Sequence, residues 1–168
     1  GCNTFIIHAR KAWLKGLSPK ENRDIPPLNY ERVLELKKLM PNLNISINGG
    51  IKTLEHAKEL LTQLDGVMIG RAAYENPWML KEADSLIYNT QDPIWKNRKE
   101  LLTAYLPYVE QELSQGCPLT IITRHLSSLF NGIPGSRKYR QMLSEQAPKA
   151  KDGVELLQKA MAFVEEIG

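Results

Sequence analysis

The chain has 168 residues, 42% of them hydrophobic, with a formal net charge of +3 and two cysteines. That is enough for one core and a second small one, and no run approaches the roughly 18 apolar residues of a membrane helix. Cys2 and Cys117 show no CxxC or Cys/His spacing, which excludes a disulfide framework or a zinc site and suits reduced thiols in the cytoplasm.

The sequence opens GCNTFIIHAR, without an initiator Met and straight into a strand, as expected of a piece cut from a longer protein. Residues 4–10, TFIIHAR, read as a buried strand ending in polar His8 and Arg10. The stretch that follows is basic and too rich in Pro and Gly for one regular element. A helix over 30–41 places Val33, Leu36 and Leu39 at helical spacing and stops at Pro41. Then come strand 44–48 (NISIN), helix 53–64 with a Thr53 cap, and strand 66–70 (GVMIG). A helical segment from 72 to 88 is interrupted near Pro77.

Alternating strands and helices predict a parallel sheet with right-handed crossovers. Three strands cannot close a barrel, but they can be the last three of a TIM (β/α)8 barrel. After a linker at 89–95 everything reads as helix, roughly 96–115, 118–130, 136–146 and 152–167. The expected architecture is therefore α/β plus all-α, with a partial barrel over residues 1–90 and an appended four-helix bundle over 91–168.

Two strands break off into glycine: NISINGGI at 44–51 and GVMIGRA at 66–72. In a parallel barrel, ligands sit at the carboxyl ends of the strands, and a phosphate is often held by the loops after strands seven and eight. Asn48, Gly49 and Gly50 would form one such loop, and Gly70 and Arg71 the other. Glycine lets an anion approach exposed N–H groups, and an arginine adds a charge-assisted contact. Either site alone is equally well read as a plain turn or a packing glycine; two at successive strand ends favour phosphate. His8 ends the preceding strand at the same rim, whereas His56 and His125 fall on helices and read as surface or packing residues.

Charge is uneven. Between Arg124 and Lys151 lie Arg137, Lys138, Arg140 and Lys149 against the single acid Glu145. The loop after the first strand carries Arg10, Lys11, Lys15, Lys20 and Arg23 against Glu21. A solvated charged face is the ordinary reading of one such patch; two patches are expected to line a groove for a phosphate backbone.

The segments FIIHARKAWLKGLSPKENRDIPPLNY, SINGGI and DGVMIGRAAYENPW, in this order and spacing, resemble the tRNA-dihydrouridine synthase family. ELSQG, TRHLSSLFNGIPGSRKYRQ and the SE that follows resemble its A-type bacterial branch. The resemblance covers essentially the whole chain. It implies an FMN oxidoreductase, with a (β/α)8 barrel for the flavin and a C-terminal helical domain for tRNA. Such an enzyme uses NADPH to reduce the flavin and then the C5–C6 bond of D-loop uridines, at tRNA positions 20 and 20a for the A-type branch. Carried over residue by residue, His8 matches a flavin-contacting histidine, Asn48, Gly49 and Gly50 one phosphate loop, and Gly70 and Arg71 the other. By the same resemblance Lys20, Arg23, Arg137 and Arg140 are the expected tRNA contacts.

The departures count as well. The family's proton-donating cysteine belongs to the first half of the barrel, as do a lysine and a glutamine that help hold the flavin. Cys2 precedes its strand at the wrong end, and Cys117 sits at a helix joint. No catalytic residue is assigned in this chain, and the isolated chain is expected not to catalyse the reaction. The full-length protein is expected to be a cytoplasmic monomer with tRNA as partner and no membrane attachment. An RNA-binding module without flavin chemistry stands as the alternative. A small-molecule barrel oxidoreductase is disfavoured, because its substrate would need neither basic region.

Overall fold

The computed structural model describes residues 1–165. Strands β1 (Thr4–His8), β2 (Asn44–Asn48) and β3 (Gly66–Met68) form a parallel sheet in the order β1-β2-β3. The register sets His8 opposite Asn48 and Asn48 opposite Met68, so the three carboxyl ends lie level. Crossovers run through α1 (Tyr30–Leu39) and α2 (Leu54–Leu61). Each starts where a side chain takes up an otherwise orphaned backbone N–H: Asn29 accepts from Arg32, and Thr53 from His56. Asp65 fastens the start of β2 by accepting the Ile45 N–H (2.8 Å) and pairing with Lys37 (2.7 Å). These bonds hold its carboxyl below the usual carboxylate range, the backbone donor contributing most.

The core of this region is Ala9, Val33, Ile45, Ile47, Ile51, Ala57, Leu60 and Leu64. Ile45 and Ile47, on the central strand, are fully buried. The expectation of a buried first strand is corrected: Phe5 and Ile6 of β1 are 37% and 59% exposed. The sequence of β1 is right for burial, but β1 is an edge strand of an open sheet, with a neighbour on one side only.

After β3 come α3 (Arg71–Glu75), a 3₁₀ segment (Pro77–Glu82) and α4 (Ala83–Tyr88), breaking where Pro77 removes a donor. Then follow α5 (Arg98–Ser114), α6 (Leu119–Leu126), α7 (Ser136–Gln146), a 3₁₀ turn (Ala147–Lys149) and α8 (Gly153–Met161). The helix expected over 118–130 stops at Leu126, and residues 127–133 form turns. Of the helix expected over 152–167, residues 166–167 lie outside the described residues.

The chain divides into two compact units: Gly1–Ala73 with Glu82–Gln91, and Tyr74–Lys81 with the chain from Asp92 onward. The second unit has its own core, including Leu102, Val109, Phe130, Tyr139, Leu157 and Val164. An α/β region followed by a helical region is thus observed, but a simple four-helix bundle does not describe the latter. Turns and 3₁₀ pieces complete it, because Gly and Pro at the joints supply backbone shapes that a straight helix cannot. Gly135 is one: at φ +83°, an added Cβ would run into the Phe163 carbonyl.

Candidate functional site

The level strand ends of the first unit gather the residues singled out by sequence. His8 and Asn48 are register partners, and the Ala9 N–H donates to the Asn48 carbonyl (2.7 Å). Gly49 and Gly50 follow with φ of +119° and +71°, both in the region that favours glycine. A Cβ at Gly49 would stand 3.2 Å from Leu28 Cδ2 and 3.4 Å from His8 Cε1. The Tyr30 hydroxyl fixes this turn by donating to the Gly49 carbonyl (2.7 Å). Gly70, by contrast, has open space where a Cβ would be. The turn is therefore tightly packed at Gly49–Gly50 and open at Gly70.

Arg71 is not an isolated cation. It pairs with Asp24 (2.7 Å) and donates to the Arg23 carbonyl (3.4 Å). Its hydrogen bond is the main reason the Asp24 carboxyl is held below its ordinary range. Arg10 donates to the carbonyls of Asp24 (3.4 Å) and Pro26. Together these contacts tie the loop after β1 to the strand ends. Lys20 and Arg23 of that loop are exposed, flanking or ending a single 3₁₀ turn, Glu21–Arg23.

Desolvation lowers the pKa of His8 first, and the charges of Arg10, Arg23 and Arg71 lower it further. The folded state therefore holds this proton less readily than the unfolded chain does. His8 contributes stability above its unfolded value of 6.5, and that contribution is lost as pH falls through the lower folded value. In the full-length protein, the loss of melting temperature below pH 6.5 should accordingly be shallower in His8→Gln than in the wild type. Equal slopes in the two proteins would count against a depressed His8.

Three residues at this rim carry no signal of their role in the sequence. Asp24 lies one residue beyond the basic run and is its counter-ion. Arg10 reads there only as charge, and Tyr30 only as the start of a helix. None has a local motif; each acts through a partner 14 or more positions away.

Arg137 and Arg140 lie elsewhere, exposed on α7 of the helical unit. Arg140 donates to the Asn131 side-chain carbonyl (2.7 Å), and Arg137 has no partner among the described residues. Tyr139 between them points the other way: it is fully buried, packs edge-on against Phe130 and donates to the Leu126 carbonyl (3.3 Å). His56 stacks edge-on with Tyr30, and His125 with Tyr74. Cys2 and Cys117 carry free thiols, the first exposed and the second half-buried in the helical unit. Among the described residues no group of acids, histidines and cysteines is placed to hold a metal, and no helix is long and apolar enough to cross a membrane.

Comparison with known proteins shows to which family the sequence is related. The chain is 52% identical over 164 residues to a tRNA-dihydrouridine(20/20a) synthase of Vibrio vulnificus, covering 98% of this chain and 50% of that protein. It is 54% identical over 163 residues to the protein so named in Yersinia pestis (97% and 47%), and 54% over 167 residues to that of Salmonella typhimurium (97% and 49%). The chain thus spans about half the length of these curated relatives. The profile of the dihydrouridine synthase family matches residues 1–166, and with relatives this similar over nearly its whole length, the chain belongs to that family.

Proposed function

We propose that this chain is the C-terminal part of an FMN-dependent, NADPH-using tRNA-dihydrouridine synthase that reduces the C5–C6 bond of D-loop uridines, at positions 20 and 20a. The observation that carries this reading is 50–54% identity, over nearly the whole chain, to proteins named for that reaction. In this reading residues 1–90 belong to the flavin barrel, except Tyr74–Lys81, which pack with the helical unit, and residues 91–168 form the tRNA-binding domain.

The strand-end residues suit the phosphate of FMN. Asn48, Gly49 and Gly50 would receive it on one side and Gly70 and Arg71 on the other. His8 would face the flavin from the adjoining strand end. Bound FMN would supply the two-electron chemistry, with NADPH as its reductant. This chain's own part is to hold the phosphate, through bare backbone and one guanidinium, and to present basic side chains to RNA. Lys20 and Arg23 would do so from the first unit, Arg137 and Arg140 from the second. Neither cysteine is assigned as proton donor; that residue is sought in the other half of the protein.

The test uses the full-length protein. Purified under native conditions it should carry a flavin absorbance and, with NADPH, convert uridine to dihydrouridine in tRNA lacking the modification. A colourless protein that still binds tRNA would replace this proposal with a flavin-free RNA-binding module.

A further inference from the structure

One exposed aromatic residue is held at several points. Tyr74, near the end of α3, is 56% exposed. Yet its hydroxyl, its ring and its backbone are each engaged, all within the helical unit. Arg124 Nε donates to His125 Nε2 (2.9 Å), which leaves His125 Nδ1 carrying the hydrogen and directed at the Tyr74 hydroxyl (3.3 Å). The hydroxyl in turn donates to the Arg124 carbonyl (3.4 Å), closing a ring of bonds. The Tyr74 and His125 rings meet edge-on, 5.9 Å between centroids at 88°. Ser128 donates to the Tyr74 carbonyl (2.6 Å) and Asn131 to that of Glu75 (3.0 Å), the same Asn131 that accepts from Arg140.

A tyrosine buried for stability would hide its ring. Here the polar parts are tied down and much of the ring is left to solvent, beside the exposed Arg124 and linked through Asn131 to Arg140. A fixed aromatic surface among guanidinium groups is the arrangement by which proteins take an unpaired nucleic-acid base, the ring stacking on it and the cations holding the flanking phosphates. Glu75 is the acid beside it in sequence, and the whole segment from Arg124 to Lys151 contains one other, Glu145. We infer that Tyr74 is a stacking platform for an unpaired base of the RNA, pre-set by Arg124, His125, Ser128 and Asn131. This rests on the RNA-binding part of the function proposed above.

The experiment measures tRNA affinity against salt concentration, and melting temperature, for full-length wild type, Tyr74→Ala, Tyr74→Phe and the Arg137→Ala/Arg140→Ala double variant. Stacking releases no counterions, so Tyr74→Ala should bind tRNA about tenfold more weakly with an unchanged salt slope. Tyr74→Phe keeps the ring and should stay within about threefold of wild type. Three outcomes overturn the inference: unchanged binding by Tyr74→Ala, a salt slope that falls as in the arginine variant, or a Phe variant as weak as the Ala one. If the arginine variant binds normally as well, the RNA-contact reading of this unit fails and the inference fails with it. If only the arginine variant is impaired, the inference alone is lost.

Discussion

In the full-length protein, Gly49→Val should abolish stoichiometric flavin. Gly49 has φ +119°, which L side chains rarely adopt, and an added Cβ would already stand 3.2 Å from Leu28 and 3.4 Å from His8. The two γ-methyls of valine have no room there without displacing the His8 ring or turning the backbone, and either change closes the cradle proposed for the phosphate. The backbone strain costs about 1–3 kcal/mol, a loss that a domain of ordinary stability survives. The expected pattern is a modest drop in melting temperature, near-complete loss of bound FMN and intact tRNA binding. Gly49→Ala, which adds only the Cβ, provides a milder variant that should weaken rather than abolish flavin retention. Full flavin content in the valine variant, measured by absorbance against protein concentration, would remove this loop from the site.

Replacing both Arg137 and Arg140 by alanine should produce the complementary pattern. Both are exposed, and neither is paired with an acid among the described residues; Arg140 is bonded to the neutral Asn131. Their removal leaves no buried charge unpaired, so melting temperature should change little. If each meets an RNA phosphate, tRNA affinity should fall by on the order of tenfold or more. The slope of log affinity against log salt should then shrink by about 0.7–0.9 for each phosphate no longer neutralised. Flavin content and NADPH oxidation should stay normal, because no residue assigned to the flavin belongs to the helical unit. A lower melting temperature with normal binding per folded molecule would instead give the two arginines a structural role.

Much of the first unit was legible in the sequence because its signals are local. Apolar runs ending in glycine mark β2 and β3, and Thr53 marks the start of α2, since a capping side chain acts within three residues; the Asn29 cap of α1 is seen only in the structure. The paired glycines at 49–50 were equally readable, and the structure adds their conformation, a tight turn fixed from outside by Tyr30. The level alignment of His8, Asn48 and Met68 follows from parallel pairing, which the strand–helix alternation implied.

What the sequence could not determine depends on which distant groups meet. Nothing near Arg71 announces that Asp24 holds it, and nothing near Tyr74 announces that Arg124, His125 and Ser128 lock it, because these partners are 47 to 54 residues apart. Local spacing dictates which elements form, since backbone bonds and caps act over a few residues. The setting of each charge and ring was decided by tertiary structure, because burial and ion pairing depend on neighbours supplied by chain closure over tens of residues.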